Sequence, residues 1–414
     1  MEEDISEWTV DFPRHKHPFV MKKKIESWKC RFWTPEDWAI FFANRKVKFR
    51  VGQHKHDFKG PQWENDCSHE EGTLSDFVNW LACQNTRSSK MRKLSKDGGQ
   101  SANALMSYSA DEYWCYADYM HLGKIFEIPK IDQEELVDWN SVGLRGQKTS
   151  QSTLWIGSKG ALTPCHQDSY GYNIVSQLYG RKKWILFDPS DSSCLYPTRI
   201  PFEESSVFSK VDMLNPDLEH FPKFSESTPF CVVLEPGDVL YVPHHYWHFV
   251  QALENSISIN TWVEMDSDNE CRLKESVTRA IVSEFITSLN EPSWLNPTED
   301  ISSTEVNLDL IKQSVVRLND LKNTHNGDKP CSEETPRRSE ESDSKSQSEF
   351  SNLKSISIVE CKKFNEIFCF ESQSRSRETD HSSSDKLSNE DILKCFTDVE
   401  VVNLIAKKLC ELSS

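Results

Sequence analysis

The stretch GALTPCHQDSYGYN, residues 160–173, places His166 and Asp168 two apart. On an extended chain alternate side chains share a face, so this pair can reach one metal ion together. Two other close histidine pairs, His15/His17 and His54/His56, sit among Lys and Arg and read as solvated polar segments. A second stretch, EPGDVLYVPHHYWHFV, supplies what the HxD pair lacks. Pro236-Gly237 makes a turn, DVLYVP a strand, and Pro243 stops it. A short turn then delivers three candidate histidines, His244, His245 and His248. The order Tyr246-Trp247-His248 ahead of the β-prone FVQAL favours His248, with the other two on the rim of a pocket or in hydrogen-bonding support. Two histidines and one carboxylate fill one face of iron(II) and leave three positions for a cosubstrate and O2.

Lys182, in GRKKWILF, lies on a strand otherwise made of aromatic and branched residues. Facing a barrel interior, it requires an anionic partner, because burying an ammonium unpaired is too costly. The distal carboxylate of 2-oxoglutarate is such a partner. The alternative is an outward, snorkelling side chain, as expected of Arg181 and Lys183. Residue type alone leaves both open.

The elements that must position these groups fall into zones. Residues 1–145 read as an N-terminal α/β part. In WTPEDWAIFFANRK, Thr34 caps a helix with Pro35 at its first position, and in KVKFRVG, Val47, Phe49 and Val51 alternate against Lys and Arg. GTLSDFVNWLACQ is a second helix and DEYWCYADYM a strand. Residues 146–265 form the core: STLWIGS, NIVSQLY, KKWILFD, FCVVLE, DVLYVP, HFVQAL and SISINTWVE are short β-prone runs with no ordinary helix between them. That pattern predicts a mainly β core in the form of a jelly roll, or double-stranded β-helix, with helices added at both ends. The insertion from Ser190 to Phe224 is too long for a hairpin turn and reads as a loop covering the site. Residues 266–322 read as helical. Residues 323–390 are Ser- and Glu-rich and predicted mostly disordered, interrupted around ISIVECKKFNEIFCF, and a helix over 391–414 follows.

Composition narrows the function classes. Of 414 residues, 37% are apolar, yet 13 Trp and 22 Phe are present, as expected of a well-built core diluted by a polar segment. A net charge of −17 argues against general nucleic-acid binding. No apolar run is long enough to span a bilayer, and MEEDISEWTVDF lacks the order of a secretory signal. The 13 cysteines form no CxxC pair, which fits reduced thiols in the cytoplasm, and also in the nucleus.

From about Ser152 to Glu264 the chain resembles the JmjC domain of the asparaginyl and other protein-side-chain hydroxylases. The matching pieces are TLWIGSKGALTPCHQD, the asparagine of GYN, GRKKWILFDP, NPDLEHFP, EPGDVLYVPHHYWH and SISINTW. YWCYADY, KVKFRVG and WLNPTE extend it, and LYPTRIPFEESSVFSK is similar to the branch associated with a small heat-shock protein. The resemblance implies a dioxygenase that uses Fe(II) and 2-oxoglutarate, with His166, Asp168 and His248 as metal ligands. It also implies that Thr163 and Lys182 receive the distal carboxylate, while Asn173, Asn260 and Tyr116 line the cosubstrate pocket. Asn173 stands seven residues after the first ligand rather than six, and Asp118 falls where a relative carries an uncharged amide. A protein substrate is implied, as is a homodimer through the C-terminal helices. Two further readings remain: a partner of a small heat-shock protein with a role in stress, and a lysine demethylase, disfavoured because no reader or zinc module accompanies the domain.

Overall fold

Alternation of apolar and polar residues over short runs, punctuated by Gly, Pro and Asn, produces fifteen strands among the described residues. The computed structural model describes residues 10–55, 60–85, 103–327, 356–368 and 387–413. Strands β1 (Phe19–Met21), β2 (Val47–Gln53), β3 (Ser68–Gly72) and β4 (Tyr113–His121) belong to the N-terminal part. The core follows as β5 (Thr153–Gly157), β6 (Leu162–Asp168), β7 (Tyr172–Tyr179), β8 (Lys182–Phe187), β9 (Pro197–Glu203) and β10 (Ser206–Ser209). It continues with β11 (Phe230–Leu234), β12 (Val239–Val242), β13 (Trp247–Ala252) and β14 (Ser256–Val263), and β15 (Ile356–Ile358) comes late.

Two antiparallel sheets result. Nine strands run in the order β15-β1-β12-β7-β14-β5-β4-β2-β3, and six in the order β11-β8-β13-β6-β10-β9. The alternation along β14 shows how they face each other. Ile257 and Ile259 enter the main apolar cluster, while Ser258, Asn260 and Trp262 line a cavity on the other side. The jelly roll expected from the strand pattern is the fold. Helix α1 (Pro35–Phe42) carries the predicted cap: Asp37 N–H donates to Thr34 Oγ1, and Thr34 N–H donates back to Asp37 Oδ2 at 2.9 Å. With α2 (Leu74–Asn85) it covers one face of the larger sheet through Trp38, Phe42, Phe77 and Trp80.

Three local expectations need correction. The insertion after β8 is not all loop: it contains the hairpin β9–β10, whose second strand pairs with β6 beside His166 and Asp168. Pro197 and Pro201 hide it from pattern reading, yet β9 is an edge strand, where proline is tolerated. Arg50 does not face solvent opposite Phe49 and Val51; it is 2% exposed and ion-paired with Glu64 and Asp118. The terminal helix is two: α5 (Asn389–Phe396) and α6 (Val399–Leu412), separated where Asp398 caps the second. The second packs on α3 (Asp268–Leu289) and α4 (Thr304–Gly327) through Leu273, Val277, Val315, Val402 and Ala406, and the first on α3 through Leu393, Val282 and Ile286.

Most of the Ser/Glu-rich stretch read as disordered, at 328–355 and 369–386, lies outside the described residues. Its predicted interruption is ordered: β15 pairs with β1, and Phe368 packs beside Phe224. None of the helices among the described residues is long and apolar enough to cross a membrane.

Candidate functional site

The two sheets enclose a cavity of about 630 Å³. Strand β6 brings His166 and Asp168 to it, and β13 brings His248 into direct register with His166. Thr163 and His166 are three apart and on a regular strand would point to opposite faces. The register slips by one residue between them, so both line the cavity while Cys165 turns into the cluster behind the sheet.

His166 Nε2 stands 3.6 Å from Asp168 Oδ1, and His248 Nε2 stands 4.0 Å from Asp168 Oδ2. Both spans are within the roughly 4.2 Å that two ligand bonds to one ion can bridge. The tautomers are set by the backbone. His166 Nδ1–H donates to the Pro164 carbonyl at 2.9 Å and His248 Nδ1–H to that of Tyr246 at 3.0 Å, which frees both Nε2 lone pairs. Burial, aided by neighbouring His248, pushes His166 down to about 4, so its imidazole is neutral at physiological pH. Trp262 Nε1–H donates to Asp168 Oδ2 at 3.0 Å and orients the carboxylate. This donor set fits a divalent ion such as iron(II). His244 and His245 do not reach it; they face the turn after Asp168, at the carbonyls of Gly171 (2.8 Å) and Ser169 (3.3 Å). Gly171 makes that turn with φ +59°, and a Cβ there would meet the Val263 carbonyl oxygen at 2.3 Å.

Lys182 opens β8 and points inward, 2% exposed. Its Nζ donates to Ser258 Oγ at 2.8 Å and to Tyr116 Oη at 3.2 Å, with no carboxylate in ion-pair range among the described residues. Burial pushes this ammonium down to about 7, against a lesser opposing pull from Asp118. Lys183 is half-buried on the other face, and Arg181 is exposed and pairs with Glu254. Thr163 lies beside Tyr116, whose hydroxyl pKa is raised by burial. Asn260 Nδ2 donates to Asn173 Oδ1 at 2.9 Å, so the one-residue offset of Asn173 still leaves it facing the cavity. Burial also pushes the Asp118 carboxyl up to about 7, although Arg50 Nε is 2.9 Å away.

Ser258, Trp262 and Trp155, whose indole donates to Asn260 Oδ1 at 2.7 Å, join the site without having been marked by a motif. The first two were within reach, since they lie two residues either side of Asn260 on one strand and therefore share its face.

The cupin-like domain family matches residues 7–269 of the chain. The chain belongs to this family, in its JmjC form. HSPB1-associated protein 1 homolog from Danio rerio is 38% identical over 325 residues, covering 77% of this chain and 69% of the relative. Human HSPB1-associated protein 1 is 40% identical over 288 residues, which is 69% of this chain. The cupin-like chain spans 56% of that human relative's length. Lysine-specific demethylase 8 from Danio rerio is 33% identical over 146 residues, 35% of each protein. A JmjC cupin-like domain is typical of oxygenases dependent on 2-oxoglutarate.

Proposed function

We propose that the chain is an Fe(II)- and 2-oxoglutarate-dependent oxygenase that hydroxylates a protein side chain. The observation that carries this reading is the pairing of a three-sided His166–Asp168–His248 donor set with a buried lysine in the same cavity that has no carboxylate in ion-pair range among the described residues. A scaffold has no physical need for both.

Iron(II) and 2-oxoglutarate would supply O2-dependent oxidation of an unactivated C–H bond, with release of succinate and CO2. His166 and His248 would present Nε2, and Asp168 one oxygen, with Trp262 holding the other. The remaining positions of the ion would face the cavity. Lys182 would receive the distal carboxylate, which replaces the counter-charge that Ser258 and Tyr116 cannot give. Asn173 and Asn260, already bonded to each other, would line the near end. Trp155, Trp184 and Trp262 would exclude water around the reacting centre.

The relatives' names favour a second reading, in which the protein engages a small heat-shock protein and catalysis is weak or absent. A third, lysine demethylation, is supported by a relative that matches only 35% of the chain. One experiment separates them: succinate formation from 2-oxoglutarate under air, with and without a small heat-shock protein or a methyl-lysine peptide, followed by mass spectrometry of the added protein or peptide. Succinate coupled to gain of one oxygen atom supports the hydroxylase, and loss of a methyl group supports the demethylase. Tight binding of the heat-shock protein without succinate supports the scaffold.

A further inference from the structure

A second group of metal-type donors stands outside the triad. The turn between β12 and β13 carries His244 and His245, and the first turn of α3 carries Cys271. One donor atom from each lies within 4.8 Å of the others, and Cys271 Sγ is 3.8 Å from His245 Nε2. All three residues are half-buried. The two imidazoles stack at 3.5 Å between centroids with planes 28° apart.

The local backbone is shaped to hold this arrangement. His245 sits at φ +62°, a left-handed conformation that a non-glycine residue keeps only when its surroundings enforce it. In that conformation its ring faces Cys271 on α3, and its Nε2 also lies 3.3 Å from the Ser169 carbonyl, a contact that a metal ion at this nitrogen would replace. His244 Nδ1–H is fixed by the Gly171 carbonyl at 2.8 Å, leaving Nε2 with its lone pair. The same device orients His166 and His248, and it is how proteins commonly hold a metal-binding imidazole. Asp268 does not compete for the role of ligand. Its oxygens accept from the Gly171 and Met265 amides, both at 2.9 Å, which docks the start of α3 against the turn after Asp168.

We propose that His244, His245 and Cys271 form a separate zinc-type site. Two imidazoles and a thiolate are a borderline-soft donor set that suits zinc, with water completing a tetrahedron from the solvent side. Binding would displace the thiol proton and move the stacked rings apart by a small rotation of each. The ion would tie the turn that delivers His248, and through His244 the turn after Asp168, to helix α3. It would therefore fasten the two connections that carry triad residues without taking part in their chemistry. The inference does not depend on the oxygenase reading.

Cobalt(II) titration of the full chain, prepared without a histidine tag, tests this. A thiolate-to-cobalt charge-transfer band in the near ultraviolet reports sulfur ligation, and the His166–Asp168–His248 set contains no sulfur. The expected result is a saturable band that persists in His166→Ala/Asp168→Ala and is displaced by zinc. It should be lost in Cys271→Ser and in His245→Ala, while Cys410→Ser keeps it. Zinc should also raise the melting temperature of the wild type more than that of Cys271→Ser. No band in the wild type at saturating cobalt, or an unchanged band in Cys271→Ser, would overturn the site and leave a thiol–imidazole hydrogen bond only. If the double variant fails to fold, the comparison of wild type with Cys271→Ser decides alone.

Discussion

Replacing Lys182 by methionine leaves an unbranched side chain one atom shorter and removes both the charge and the donors to Ser258 and Tyr116. In the wild type Nζ has two hydroxyl partners, at 2.8 and 3.2 Å, and no carboxylate partner among the described residues. If the distal carboxylate of 2-oxoglutarate completes this set, Lys182→Met removes a charge-assisted bond and leaves an anion against a dry wall. The loss should be about 2 to 4 kcal/mol, or about 30- to 1000-fold in affinity. Stability without ligand should change little, because relief of burying an ammonium with no carboxylate in ion-pair range among the described residues is offset by the lost bonds to Ser258 and Tyr116. Anaerobic calorimetry of 2-oxoglutarate binding to the Mn(II)-loaded protein, with thermal melts alongside, measures both. Lys183→Met, on the opposite face, is the control. Affinity unchanged in Lys182→Met, or reduced equally in both variants, would refute the inward anion-binding lysine.

The pH dependence follows from the same residue. Lys182 is held near 7 in the free protein, so above that pH binding must first restore its proton. Affinity for 2-oxoglutarate should fall by up to tenfold per pH unit above about 7, and calorimetry should find this slope missing in Lys182→Met. Trp262→Phe should weaken metal binding by about 10- to 100-fold in a competition with a chromophoric chelator, because Asp168 loses its 3.0 Å indole donor. Phe368→Ala should lower stability by about 3 kcal/mol in denaturant melts, since this 5% exposed ring packs at 5.0 Å from Phe224. Deletion of residues 330–350 should leave the melting temperature nearly unchanged, as expected for a segment with too little apolar surface to form a core.

Much of this architecture was legible because strands with one wet and one dry face write their orientation into alternating residues. β14 is the clearest case, and β6 shows the limit. Its one-residue slip lets Thr163 and His166 share a face that strict alternation denies them, and a bulge leaves no mark in residue type. The convergence of His166, Asp168 and His248 was legible from the HxD spacing and the strand that returns to it. The choice between inward and outward Lys182 was not, because a lysine on a half-apolar strand satisfies either placement until its neighbours are known. Arg50 was misread for a related reason: its partners Glu64 and Asp118 come from distant parts of the chain, and a buried charge looks like a solvated one until they are found. The hairpin β9–β10 was missed because prolines and paired glutamates there resemble loop composition.

Binding of iron(II) and 2-oxoglutarate in this cavity can be read optically. Under anaerobic conditions, a 2-oxo acid that chelates protein-bound iron(II) produces a visible charge-transfer absorption. This band is expected in the wild type with Fe(II) and 2-oxoglutarate together, is expected to be absent in His166→Ala and Asp168→Ala, and should appear in Lys182→Met only at much higher 2-oxoglutarate. A wild-type protein that is loaded with Fe(II) and saturated with 2-oxoglutarate yet shows no band would contradict the proposed site.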